Sequence, residues 1–285
     1  MSQQDRCRLT DSRHLKDRAK NIRIDIIKSL ASAGSGHLGG SLGLADVFSV
    51  LYFRVMNHKP DDPKWVDRDR LILSIGHVAP VLYTTLAHAG YFPVEELLTL
   101  RKLGSRLQGH PGVDHGLPGL ELSAGSLGQG LSVAVGMAIS AKFSKRKNRV
   151  FTILGDGELQ EGSVWEAAMS ASHYKLDNLI AVVDRNFVQI DGTTEDVMAL
   201  EPLADKWRSF GWNTLLCNGN DIDELCSVFD EALMSEGKPT VILANTKMGC
   251  GVPEIENDNG WHGKAPDQNQ AEHFIREITG GYNEL

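Results

Sequence analysis

The chain has 285 residues, 41% of them hydrophobic, enough to fill the core of one large α/β domain or of two small ones. Its 29 basic and 37 acidic residues give a formal charge of −8, so no chain-wide field draws nucleic acid or anionic lipid. No stretch reaches the roughly 18 apolar residues of a membrane span, and the charged segment Met1 to Arg23 lacks the apolar run of a signal peptide.

The first element follows a polar arm of about residues 1–14: Ile22, Ile26 and Leu30 recur at helical spacing. A Gly-rich loop, Gly34 to Gly40, comes next, then an apolar helix around Leu44 to Met56. The short run Arg70 to Gly76 reads as a buried parallel strand closed by glycine. Helical pattern resumes from Val78 to Ala89 and again after Pro93. The stretch Gly104 to Gly130, rich in Gly, Pro and His, is too long for an idle connection and reads as functional or disordered. A small-residue helix, Leu131 to Phe143, then leads through the basic turn Lys145-Arg146-Lys147 into strand Val150 to Leu154. Strands at Leu179–Asp184, Trp212–Cys217 and Thr240–Ala244 alternate with helices at Val164–Ser172, Leu203–Phe210 and Ile222–Met234. Alternation of this kind implies an α/β fold, a mostly parallel sheet with helices on both faces. No linker or repeat divides the chain, so residues 1–285 read as one domain, with a short amphipathic tail at about 266–285. The cysteines Cys7, Cys217, Cys226 and Cys250 are scattered without CxxC spacing, which excludes a zinc knuckle and suits a reducing cytoplasm.

In such sheets ligands collect at the carboxyl ends of the strands. There the sequence places Gly155-Asp156-Gly157-Glu158. A carboxylate between two glycines packs poorly, whereas the glycines admit a ligand close to the backbone and the carboxylate holds a hard cation. A lone GDG is more often an ordinary turn. Here, however, Glu161-Gly162 and a helix follow, offering backbone N–H groups to an anion. Asn186 also comes 30 positions after Asp156, one strand–helix–strand unit later. Adjacent strands would then present a carboxylate and an amide side by side, completed by the Val188 carbonyl and diphosphate oxygens. That is a site for magnesium, with calcium or manganese as substitutes.

The histidines add an independent signal. Of the ten, His37 (SGHLGG), His77 (IGHVAP), His110 (QGHPG) and His262 (GWHGK) lie in glycine-rich connections or just beyond strands rather than on apolar helix faces. Zinc is the obvious rival, but no pair has HxxxH or HExxH spacing.

GDGELQEG followed by the Asn of DRN resembles the thiamine-diphosphate motif, and LGDGELQEGSVWEA with NLIAVVDRNFVQIDG resembles transketolases in particular. The four histidine loops match that family in order and spacing. The resemblance implies metal ligation by Asp156, Asn186 and Val188, and a Gly157 amide on the diphosphate. It implies that His77 and His262 face the diphosphate and the reacting carbon, while His37 and His110 bind substrate hydroxyls and relay protons. The loop Ser123 to Gly130 resembles TGPLGQG and places Gly125, Ser126 and Leu127 beside the cofactor rings. Gly155, Glu158, Glu161 and Ile190 complete the implied cofactor-binding set. Leu38 and Ser126 stand where the family usually has proline, which leaves both loops less rigid without removing a polar group.

The resemblance runs from about Ala19 to Ala265 and covers only the first half of a typical transketolase. In that family a second domain holds the aminopyrimidine, supplies the glutamate that activates the cofactor and binds most of the sugar phosphate. The expectation is therefore the first subunit of a split transketolase, assembled as α2β2 with a pyrimidine-binding partner and acting on sugar phosphates. Glu161 is the expected interface carboxylate. Competing readings are another thiamine-diphosphate enzyme (deoxyxylulose-phosphate-synthase-like, or decarboxylating a 2-oxo acid) and a non-catalytic cofactor-binding module. A Rossmann dehydrogenase is disfavoured because no GxGxxG follows a first strand.

Overall fold

The computed structural model describes residues 11–280. Five strands, β1 (Arg70–Leu73), β2 (Val150–Gly155), β3 (Leu179–Arg185), β6 (Asn213–Asn218) and β7 (Thr240–Asn245), form one parallel sheet in the order β1-β2-β3-β7-β6. A two-residue hairpin, β4 (Val188–Gln189) with β5 (Gly192–Thr193), stands apart from it. Because side chains alternate across a strand, each apolar run feeds two cores. Phe151, Ile153, Ile180, Val182 and Ile242 enter one, while Val150, Leu154, Ala181, Val183 and Val241 enter the other.

Helices α1 (Ser12–Ala33), α2 (Leu38–Gly43), α3 (Ala45–Val50) and α4 (Ala79–His88) cover the first face. Helices α5 (Gly130–Phe143), α6 (Gly162–His173) and α8 (Leu203–Ser209) cover the second, beyond the short α7 (Thr194–Met198). From β1 through β2 and β3 to β6 the chain advances across the sheet, and from β6 to β7 it turns back. The connecting helix α9 (Ile222–Leu233) accordingly lies on the first face, as a single hand of crossover requires. The connection after β1 goes to α4 on one face and that after β2 goes to α6 on the other. A crevice therefore opens at the carboxyl ends of these two strands.

Two readings of the sequence, the arm and the Gly-rich loop, need correction, and two, the tail and the segment after Pro93, become more specific. Helix α1 begins at Ser12, so the polar arm stops there; its remainder, residues 1–10 with Cys7, lies outside the described residues. The Gly-rich loop ends at His37, and Gly39, Gly40 and Gly43 belong to α2. Their role is close packing: a Cβ on Gly39 would stand 2.6 Å from the Met248 side chain, and one on Gly43 2.8 Å from the Lys247 carbonyl. The supposed tail contains α10 (Gln268–Thr279), opened by an Asp267–Gln270 capping box. It packs along α1, with Phe274 fully buried and Gln268 Nε2 donating to the Ala31 carbonyl at 3.3 Å. The segment after Pro93 is a 3-10 helix, Val94–Thr99.

Candidate active site

Four imidazoles converge in the crevice. The ring centroids of His37 lie 5.0 Å from His77, 5.9 Å from His262 and 6.5 Å from His110, and His77 lies 5.2 Å from His262. Each arrives from a different place in the fold. His37 precedes α2, His77 follows β1, His110 sits in the long loop between α4 and α5, and His262 ends a 3-10 turn, Asn259–Trp261. Backbone bonds tie two of these segments together: Leu38 N–H donates to the Lys264 carbonyl at 3.2 Å and Gly249 N–H to the Gly39 carbonyl at 2.9 Å.

Burial disfavours the imidazolium form and holds His77 at about 3 and His37 at about 4. The neighbouring histidines depress both further, and Arg101 adds to the effect on His37. His262 is lowered by burial, and His110 by burial and then Arg101. The site is thus a nest of neutral rings. The Nδ1 atoms of His37 and His262 are buried without a hydrogen-bond partner, an arrangement that suits a bound ligand.

The second part of the site lies at the ends of β2 and β3, where Gly155 pairs with Asp184. Asp156 is buried; one carboxylate oxygen accepts the Gly157 N–H at 2.8 Å and the other accepts the Phe187 N–H at 2.7 Å. Phe187 has φ 63°, a left-handed turn that brings the Asn186–Val188 segment back against Asp156. Asn186 donates to Asp184 at 2.8 Å, and its oxygen accepts the Val188 N–H at 2.9 Å. Asp156, Asn186 and Val188 thus lie at the ends of paired strands, each carrying an oxygen donor, the atom type a hard divalent cation takes. Burial pushes Asp156 up to about 6, against the pull of the Phe187 N–H and Arg185. Asp184 is pushed up to about 7 by burial and held by Thr246 Oγ1.

Arg185 is the main feature that the sequence reading left out. Its fully buried guanidinium donates to Asp156 at 3.2 Å, Thr194 at 2.7 Å, Glu195 at 2.8 Å and Glu201 at 2.9 Å. The DRN tripeptide displayed it, but nothing in the sequence pairs it with Glu195 and Glu201.

The remaining expected positions divide. Gly76 brings β1 against the Ser123–Leu127 loop, since a Cβ there would stand 2.9 Å from the Ala124 backbone. Gly125 and Ser126 are exposed in that loop, and Leu127 is half-buried. Gly157 backs onto Gln189, Ile190 is 68% exposed, and the Ile190 carbonyl accepts from Asn259 at 3.4 Å. Glu161 is exposed at the start of α6, close to Gly128. Glu158 differs from the rest: it is buried, with both oxygens engaged by Ser74, Gly128 and Gly155, so its carboxylate faces the protein and not the crevice.

Residues 15–283 match the model of the transketolase, thiamine diphosphate binding domain. The chain belongs to the transketolase family. It is 41% identical over 265 residues to an apulose-4-phosphate transketolase subunit of Phocaeicola vulgatus, covering 93% of this chain and 94% of that one. It is 46% identical over 248 residues to the 6-deoxy-6-sulfo-D-fructose transketolase subunit SqwG of Clostridium sp. strain MSTE9, covering 87% and 90%. The crystal structure of the Campylobacter jejuni transketolase superposes with a TM-score of 0.88 at 34% identity over 95% of this chain. The match spans only 43% of that transketolase chain. Among the described residues no helix is long and apolar enough to cross a membrane.

Proposed function

We propose that this chain is the diphosphate- and metal-binding subunit of a split transketolase, which moves a two-carbon ketol unit from a ketose phosphate to an aldose phosphate. The observation that carries the reading is the convergence of four neutral imidazoles in a fold whose β2 and β3 strand ends carry a buried carboxylate and amide. Thiamine diphosphate, when bound, supplies the carbon nucleophile. Asp156, Asn186 and the Val188 carbonyl would hold Mg2+ (or Ca2+ or Mn2+), which neutralises the diphosphate against an acidic protein. Gly155, Gly157, His77 and His262 would line the diphosphate, with Gly125, Ser126, Leu127 and Ile190 beside the rings. Glu158 would contribute from behind, by fixing the loops that carry Gly128 and Gly155. His37 and His110, being uncharged, would accept and return protons of substrate hydroxyls.

The partner would be a polypeptide carrying the pyrimidine-binding domain, in an α2β2 assembly. Relatives of this length are named as subunits, which supports that reading. So does α5, whose exposed side carries the small residues Ser132, Gly136 and Ser140 and ends in Phe143, 90% exposed. Glu161, exposed at the head of α6, remains the candidate interface carboxylate. The whole of 1–285 would act as one diphosphate-binding domain. The free thiols of Cys217, Cys226 and Cys250 suit the cytoplasm. Assaying the chain with xylulose 5-phosphate and ribose 5-phosphate, alone and with its partner, tests the proposal. Turnover is expected only in the mixture, and robust turnover by the single chain would overturn it.

A further inference from the structure

Arg101 has no task in the reading above. Its backbone holds φ 59°, a left-handed conformation that is strained for an L side chain. The strain is pinned by the buried Leu100 and Leu107 and by a 2.8 Å bond from the Arg101 N–H to the Leu107 carbonyl. What this conformation achieves is the placement of the guanidinium. A Cβ on Gly109 would stand 2.7 Å from Arg101 Cζ, and one on Gly36 would stand 3.5 Å from Nε. Each of these glycines immediately precedes a site histidine, His110 or His37, whose rings lie 6.5 Å apart. Among the described residues no carboxylate pairs with Arg101, so its charge is left to act on its neighbours.

We propose that Arg101 is a positioning residue, which sets the spacing of the His37 and His110 loops and imposes a positive field on that pair of imidazoles. A side chain at Gly109 would displace the guanidinium, while Gly36 meets it at ordinary contact distance, its own Cβ being barred by Leu30 at 2.5 Å. A cation disfavours a second positive charge nearby, and Arg101 lowers both His37 and His110. His37 also faces the rings of His77, His110 and His262, and no carboxylate contributes to its shift. Arg101 contributes nothing to the shifts of His77 or His262, which serve as internal controls. The consequence for catalysis, two rings kept ready to accept hydroxyl protons, rests on the transketolase reading. The clamp itself does not.

The test is NMR titration of the histidine ring nitrogens in the full chain. In Arg101→Gln the His37 and His110 midpoints should rise by about half a pH unit or more, with smaller changes at His77 and His262. Arg101→Lys should restore the midpoints while shifting the His37 and His110 ring signals, because the charge returns without the guanidinium that packs against Gly109. If Arg101→Gln fails to fold, Arg101→Met serves in its place. Wild-type titration of His37 and His110 in the neutral variant would overturn the proposal, as would an equal rise at all four rings. With the partner, the acid limb of kcat/KM should move upward in Arg101→Gln while cofactor affinity holds. If the mixture proved inactive, the functional reading would fail and the ring titration would still decide the role of Arg101.

Discussion

The Glu158 carboxylate accepts the Gly128 N–H at 2.7 Å, joining the end of β2 to a loop thirty residues earlier in the chain. The same carboxylate accepts the Gly155 N–H at 3.1 Å and the Ser74 hydroxyl, and Ser74 Oγ accepts the Gly130 N–H at 3.0 Å. One buried acid thus fastens three loops of the site from behind. Glu158→Ala would strand the buried Gly128 N–H at a cost of about 1–3 kcal/mol, and would also release the half-buried Gly155 N–H and the Ser74 hydroxyl. Thermal unfolding should show a clear drop in Tm for Glu158→Ala and a smaller one for Glu158→Gln, which keeps one acceptor.

Asp156→Ala tests the oxygen cage. Divalent-ion-dependent binding of thiamine diphosphate to the assembled enzyme should weaken by more than about tenfold. Circular dichroism should show the fold retained. Calorimetry with and without Mg2+ is the measurement, and an unchanged metal dependence would remove Asp156 from the cage.

His110 and His262 should separate in kinetics. His110 is exposed at the mouth of the cluster, whereas His262 is partly buried with an orphaned Nδ1. His110→Ala should lower kcat by about 10²–10⁴-fold with little change in cofactor affinity. His262→Ala should damage both. Equal losses of cofactor affinity in the two variants would contradict the assignment.

The buried rings also set a pH dependence of stability. His77 titrates at about 3 in the folded chain against an ordinary value near 6.5, so the unfolded state binds more protons between those values. Stability from this group therefore rises with pH across that window and is lost on acidification below about 6.5. His77→Gln should gain about 1–2 kcal/mol relative to wild type between pH 7 and pH 5. Urea unfolding of both proteins at the two pH values reads the difference directly. Asp156 and Asp184, raised by burial, act in the opposite sense in both proteins and cancel from the comparison.

Local chemistry explains what the sequence disclosed. Val150 to Leu154 and Leu179 to Asp184 are apolar because both faces of a parallel strand are covered, so the strands could be read without knowing their neighbours. Asp156 and Asn186 were legible because one strand–helix–strand unit has a nearly fixed length. Contacts between residues remote in sequence left no such trace. Nothing links Glu158 to Ser74, or Arg185 to Glu201, before the chain is folded. Helix α2 was hidden because Gly39, Gly40 and Gly43 resemble a loop, although Gly39 and Gly43 are there to admit Met248 and the Lys247 backbone. Arg101 carried no motif at all; only its backbone angle and its two glycines reveal it.

The packing of α10 along α1 also bears on how the enzyme can be engineered. Gln268 lies against Ala31, and Gly251 lies between Arg23 and Ile278, so α10 runs back along α1 on that helix's side of the sheet. A flexible tether continued from Gly280 would start from this outer layer, attached through neither the histidine loops nor the β2–β3 strand ends. Joining the partner through such a tether would turn its docking into an intramolecular event at roughly millimolar effective concentration. Activity would then become independent of dilution, and tether length alone would tune the association without altering a residue of the site.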